Sequence, residues 1–143
     1  MDKPNYQFDN IATLQRDRTI EGETGTELGL DGGITLIVLA ATDANPRWKA
    51  QSEAMTREIR RLSNAKASGD RSRKYLARKY AETLVKDWRG VTSGGTEIPF
   101  SVDACTAFLI VADDAFAALE GIVYETKNFR GQRIEALVDD AGK

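Results

Sequence analysis

The first residues that could do chemistry in this sequence of 143 residues are three carboxylates, Glu21, Glu23 and Glu27. General acid–base catalysis needs one carboxyl group whose pKa is raised in an apolar pocket. These three lie in or beside a segment from Glu21 to Gly33 that contains five glycines, which predicts turns exposed to solvent. We therefore interpret the glutamates as solvated turn residues rather than as a catalytic cluster.

The remaining reactive groups form no catalytic or metal-binding pattern. Cys105 is the only cysteine and the chain has no histidine, so a thiol nucleophile would lack its usual base. A zinc site would need carboxylates alone. Gly22, Gly25 and Gly29 do not have the spacing of a dinucleotide-binding loop, and the lysine of a phosphate loop is missing. We expect a protein that is not an enzyme and that uses no metal and no cofactor.

Charge is strongly partitioned along the chain, although the net charge is only −2. Residues 1–46 carry three basic and eight acidic side chains, residues 47–89 carry thirteen and five, and residues 90–143 carry four and nine. A basic middle could bind an acidic partner or nucleic acid, or the acidic ends could neutralise it within the fold or between subunits. Aromatic residues do not alternate regularly with the basic ones as stacking platforms, so nucleic-acid binding is the less favoured interpretation.

Most of the basic charge falls on two predicted amphipathic helices. Asp43 or Asn45 can cap the first helix, which holds Pro46 in its first turn and runs to about Ala67. A second helix follows, and its apolar positions repeat at helical spacing as far as Trp88. The candidate partner contacts on the first helix are three arginines, Arg57, Arg60 and Arg61.

A β-hairpin is predicted before these helices, with Asp31-Gly32-Gly33 as its turn. Its second strand, Ile34–Leu39, is almost continuously apolar, which predicts burial on both faces or pairing with a neighbouring chain. The apolar run ends at Ala41 and is too short to span a bilayer, so we expect no contact with a membrane. If the strand contacts a partner, the candidate residues are Ile34, Leu36 and Val38.

A third sequence pattern consists of two short blocks, Trp88-Arg89-Gly90-Val91 and Ile98-Pro99-Phe100-Ser101, separated by a short Gly-rich gap. It predicts that one helix ends at Gly90 and that another begins after Ser101, around buried aromatic side chains. We interpret these aromatic residues mainly as core. The candidate partner contacts at this junction are Trp88, Pro99 and Phe100.

Together these elements predict a mainly helical α+β protein. A small N-terminal β-hairpin or sheet would be packed by about four amphipathic helices, because two strands alone are marginally stable. Residues 20–131 are expected to form a single globular domain. Residues 1–19 form a flexible or partner-ordered arm, and residues 132–143 form a polar C-terminal tail.

Several short blocks follow one another in a characteristic order after the Gly-rich hairpin. These blocks are Asp43-Ala44-Asn45-Pro46, the run from Ala81 to Val91, Ile98-Pro99-Phe100-Ser101 and Asn128-Phe129-Arg130. Their order and spacing resemble the small tail assembly chaperones of tailed bacteriophages, over about residues 20–131.

The resemblance implies a non-catalytic factor in the cytoplasm of the infected host. It would bind the tape-measure protein, or another phage tail protein, and keep it soluble during tail assembly. A tape-measure chain exposes repeated apolar stripes, which grooves between amphipathic helices could cover. Self-association would raise avidity, so we expect a homo-oligomer.

Two alternatives stay open at this point. A structural virion component, such as a connector, minor tail or capsid-associated protein, would use the strand Ile34–Leu39 and the terminal arms to join its neighbours. Such a protein would be found in the virion. A nucleic-acid-binding regulator would instead use the basic segment 57–79.

Overall fold

A small antiparallel sheet and a set of helices form the fold, in a computed structural model that describes residues 5–11 and 14–130. The predicted mainly helical α+β class is confirmed. A π-helix at Ile20–Thr24 precedes the first strand, and a 3₁₀-helix at Thr126–Phe129 ends the described chain. In that part of the chain the strands are β1 (Thr26–Leu30), β2 (Ile34–Val38), β3 (Val85–Arg89), β4 (Thr92–Ser93) and β5 (Thr96–Glu97). The α-helices are α1 (Pro46–Asn64), α2 (Gly69–Thr83), α3 (Val102–Val111) and α4 (Asp113–Val123).

The predicted hairpin at Asp31-Gly32-Gly33 is present, and a third strand extends it. β1 and β2 pair antiparallel, and β2 also pairs antiparallel with β3, so β2 lies in the centre of this sheet. Leu28, Leu36 and Trp88 share one register position and one face, which packs on the helices. The continuous apolar character of β2 therefore reflects its central position, and its backbone is not available to a neighbouring chain.

The prediction that a helix runs through Trp88 to Gly90 is wrong, because α2 ends at Thr83 and Val85–Arg89 is a strand. Val38 pairs with Val85, while Leu36 pairs with Trp88, so a β-bulge places one extra residue on β3. Two core residues are then three positions apart instead of two. That spacing is also typical of a helix face, which explains the error.

The first helix is held at both ends by local hydrogen bonds, and it ends slightly earlier than predicted. Asn45, rather than Asp43, caps it, because its side-chain oxygen accepts hydrogen bonds from the backbone of Arg47 and Trp48. α1 stops at Asn64 rather than near Ala67. The next helix, α2, begins with a Ser68 cap, where the sequence predicted a break.

The C-terminal helices pack on α2 and complete the core. Ser101 caps α3 through its hydroxyl group, as predicted. The Gly-rich gap between Val91 and Ile98 contains the short strands β4 and β5, which a turn at Gly94 and Gly95 connects. The largest fully buried apolar side chains are Phe129, Leu36, Leu84, Leu109, Leu119, Val38, Val85 and Val123.

The interpretation of Glu21 as a solvated turn residue is wrong, because its side chain is fully buried. Arg16 donates two hydrogen bonds to its carboxylate, at 3.0 and 2.6 Å, and the Thr42 hydroxyl donates another at 2.7 Å. Burial opposes ionisation, but these partners outweigh it and lower the pKa of Glu21. Glu23 and Glu27 are exposed, as predicted, but they lie in the π-helix and in β1 rather than in turns. The predicted C-terminal tail, residues 132–143, lies outside the described residues.

Candidate partner-binding groove

An open groove runs between α1 and α2 and reaches the end of α4. Its volume is about 370 Å³. Eight residues line it: Trp48, Ser52, Met55, Thr56, Ile59, Leu76, Tyr80 and Tyr124. Most of these side chains are apolar or aromatic, so the groove offers an apolar surface that solvent can reach. We refer to it as the α1–α2 groove.

The spacing of residues along α1 explains why one wall of this groove is apolar. Trp48, Ser52, Met55 and Ile59 recur every three or four positions and therefore lie on one face of the helix. Met55 is buried, whereas Trp48 and Ile59 are only partly buried. Part of this stripe therefore remains open as the wall of the groove.

The groove holds two tyrosines in contact with each other, and one of them binds a carboxylate. The Tyr80 hydroxyl donates a hydrogen bond to Glu120 at 2.8 Å and lies 3.3 Å from the Tyr124 hydroxyl. Burial, together with these two neighbours, raises the pKa of Tyr80 far above its ordinary value. Tyr80 therefore stays neutral, and it positions Tyr124, whose ring is 52% exposed and packs edge-on against Trp48.

Two arginines lie in a shallow depression on α1 that adjoins the groove. Arg57 and Arg60 line this depression together with Glu53, and it shares Ser52 and Thr56 with the α1–α2 groove. Both arginines are exposed, and neither makes an ion pair with another residue in the described part of the chain. Arg61 differs, because it donates two hydrogen bonds to Glu58 on its own helix. The basic edge of the groove therefore consists of Arg57 and Arg60.

Two arginines of the remaining basic segment pair with acidic side chains of the C-terminal helices. Arg73 pairs with Asp113 at 2.8 Å, and Arg78 pairs with both Glu82 and Asp103. These contacts fix α2 against α3 and α4. One of the possibilities raised by the charge partition, neutralisation within the fold, thus applies to this part of the segment.

Two of the three candidate contacts on β2 are buried. Leu36 and Val38 are fully buried in the core, so a partner cannot reach them in this structure, and the prediction that they are partner contacts is wrong. Ile34 is partly buried and lines a second cleft of about 590 Å³, beside the β1–β2 turn and the α3–α4 junction. These three side chains lie on one face of β2, and Ile34 is the accessible one because it begins the strand beside the hairpin turn.

The predicted junction of Trp88 with the Pro99 segment is real, but it is mainly a core contact. The Trp88 side chain donates a hydrogen bond to the Ile98 carbonyl at 2.8 Å, and its ring meets Phe100 edge-on at 5.5 Å. Trp88 is buried, Phe100 is partly buried and Pro99 is exposed. The structure therefore places these residues away from those that line the α1–α2 groove.

Sequence reasoning did not select Trp48, Ile59 or Tyr124 as contact residues. The first two had a signal, because they recur with Met55 at helical spacing along α1. Tyr124 had none, because it reaches the groove from the far end of α4, more than sixty residues away along the chain. Only the tertiary structure brings these side chains together.

Comparisons with known proteins give the origin of the chain. The family model of the YdaY prophage protein matches residues 43–143, and the chain belongs to this family. The matched range includes every residue that lines the α1–α2 groove. No curated protein and no solved structure matches the chain.

The protein is thus phage-derived, as the resemblance implied. Within the described residues, no helix is both long enough and apolar enough to cross a membrane.

Proposed function

We propose that this protein is a non-catalytic factor of phage morphogenesis, a tail assembly chaperone that binds and solubilises the tape-measure protein. The observation that carries the proposal is the α1–α2 groove, an open apolar surface bordered by Arg57 and Arg60. Its occupant would be an amphipathic helix of the tape-measure protein, with its apolar face in the groove and acidic residues beside the arginines. Membership in a prophage protein family supports the phage setting.

The energetics suit a chaperone that must later release its partner. Each Leu or Phe side chain that a helix fully buries in the groove contributes roughly 1.5–3 kcal/mol before the entropic cost of association. A groove of this size accepts only a few such side chains, so each contact is weak. Several copies bound along one tape-measure chain would jointly retain it. Tail-tube subunits could then displace these copies one at a time.

Co-expression with the tape-measure protein of the same prophage tests this function. Wild-type protein should raise the soluble fraction of the tape-measure protein and co-purify with it. Tyr124→Asp should abolish both effects, because it places a charge in the groove. The matched control is Val111→Asp, which changes a residue that is 78% exposed at the end of α3 and should leave binding intact.

Two results would contradict the proposal. One is equal solubility of the tape-measure protein with and without the chaperone. The other is a stoichiometric amount of this protein in purified virions, which would favour the structural alternative. Far-ultraviolet circular dichroism of each variant checks that the helices persist.

A further inference from the structure

The N-terminal arm, defined here as residues 5–11, presents two exposed aromatic side chains. Tyr6 is 69% and Phe8 is 66% exposed, and their rings stack with centroids 5.7 Å apart. The two rings therefore lie on one side of the arm as a single apolar pair. Exposed aromatic clusters of this kind commonly mark a contact with another molecule.

The chain that follows this arm is fixed to the folded domain through Arg16. The Arg16 guanidinium binds the buried carboxylate of Glu21, which the Thr42 hydroxyl also contacts. Phe8 precedes Arg16 by eight residues. An extended chain covers about 3.5 Å per residue, so Phe8 can lie at most roughly 28 Å from that fixed point. The arm can therefore project well beyond its own domain.

We propose that the arm of one copy occupies the α1–α2 groove of a second copy. The Tyr6 and Phe8 rings would pack against Trp48 and Tyr124, which are the aromatic residues of the groove with solvent access. Asp9 follows Phe8 directly and would lie near the basic edge formed by Arg57 and Arg60. Apolar surface and charge thus match on both sides of the contact.

This contact joins two different surfaces, so it is heterologous. Each copy carries one arm and one groove, and successive copies form a closed ring or an open chain whose length depends on concentration. The arm would shield the groove until a tape-measure helix displaces it. The inference concerns the same groove as the proposed function, but it is tested on the purified protein alone, so either can fail without the other.

Two complementary variants test the proposal by sedimentation equilibrium. Tyr6→Ser/Phe8→Ser removes the aromatic pair of the arm but leaves the groove intact, and Arg57→Glu/Arg60→Glu reverses the basic edge but leaves the arm intact. Each variant alone should sediment as a monomer at concentrations where the wild type associates. An equimolar mixture should form dimers that grow no further, because the intact arm in the mixture belongs to one variant and the intact groove to the other.

The matched control is Leu14→Ser, which removes an apolar side chain that is 73% exposed and lies outside the arm. It should associate like the wild type. A wild type that stays monomeric to several hundred micromolar would overturn the proposal, and so would an arm variant that associates normally. Both variants change exposed residues, and circular dichroism should show unchanged helical content.

Engineered cysteines locate the contact. Phe8→Cys and Ser52→Cys, introduced into separate copies, should form a disulfide between chains under mild oxidation, whereas Phe8→Cys with Gly94→Cys should not. Cys105 does not compete, because its thiol is fully buried and burial raises its pKa to about 12. A disulfide formed within a single chain carrying both Phe8→Cys and Ser52→Cys would overturn the exchange between copies.

Discussion

The side-chain amide of Asn45 donates a hydrogen bond to the main-chain carbonyl of Thr83 at 2.7 Å, across 38 positions of sequence. The same amide donates to Ala40 at 3.0 Å, while the side-chain oxygen caps α1. One fully buried residue thus ties the start of α1 to the end of α2 and to the chain that leaves β2. These contacts fix the relative position of the two helices that form the α1–α2 groove.

Replacing this residue tests how far the fold depends on it. Asn45→Ala leaves two buried carbonyls without a donor and removes the cap, so the free energy of unfolding should fall by about 2–4 kcal/mol. Urea denaturation followed by circular dichroism measures the loss. Asn64→Ala, at the exposed end of α1, is the control and should change stability by less than about 0.5 kcal/mol. Equal losses for the two variants would contradict this role.

Glu21 should make stability depend on pH in the acid range. Its pKa is lowered from an ordinary value of 4.5 in the folded protein, so ionised Glu21 stabilises the fold above that value. As the pH falls through the lowered folded-state pKa, the carboxylate takes up a proton and this contribution disappears. The difference in unfolding free energy between wild type and Glu21→Gln should therefore shrink from pH 6 to pH 3.

The control for this measurement is Glu23→Gln, which changes an exposed carboxylate two residues away. At pH 6 its loss of unfolding free energy should be smaller than that of Glu21→Gln, because its side chain is exposed. A constant difference for Glu21→Gln from pH 6 to pH 3 would mean that the buried ion pair does not contribute to stability.

Gly90 should tolerate no side chain, because two constraints meet there. Its φ is +82°, and an added Cβ would lie 2.2 Å from the Gly33 carbonyl oxygen. Gly94 has a φ of +59° but open space around it. Gly94→Ala should therefore cost only about 1–2 kcal/mol of backbone strain, and Gly90→Ala clearly more, because strands β2 and β3 must separate. Thermal unfolding of both variants gives the comparison, and equal costs would contradict the close contact.

The sequence could predict those features that depend on neighbouring residues. The Asn45 and Ser101 caps and the hairpin turn at Asp31-Gly32-Gly33 follow from local chemistry, and each is present. Strand β3 could not be predicted, because a bulge gives Val85 and Trp88 the spacing of a helix.

The burial of Glu21 could not be predicted from the sequence, for a different reason. Its partners are Arg16 and Thr42, and the second lies 21 positions away. The groove likewise depends on Tyr124, which tertiary packing brings to α1 and α2. Local patterns therefore predicted the arginines of the candidate site but not its aromatic surface.

The basic edge should contribute to partner binding without contributing to the fold. Arg57→Glu/Arg60→Glu should weaken binding of the tape-measure protein by roughly tenfold, or about 1.4 kcal/mol, because it reverses two charges beside the groove. Adding Arg61→Glu should weaken binding little further, since Arg61 already pairs with Glu58. Fluorescence anisotropy with a labelled tape-measure peptide at several salt concentrations gives the affinities.

The matched control reverses two exposed basic residues at the α1–α2 turn, Lys66→Glu/Arg71→Glu. The change in net charge is the same, but these residues do not border the groove. Equal weakening by both pairs would show a general effect of charge and would contradict a contact at Arg57 and Arg60.

The most direct test of the account is site-specific photo-crosslinking in cells in which the prophage has been induced. A photoreactive amino acid replaces Ser52 inside the α1–α2 groove, and a control replaces Val111 at the end of α3. Mass spectrometry identifies the captured proteins. If the tape-measure protein binds in the α1–α2 groove, its peptides should be captured at Ser52 and not at Val111. Capture of the tape-measure protein at both positions, or at neither, would contradict binding in the groove.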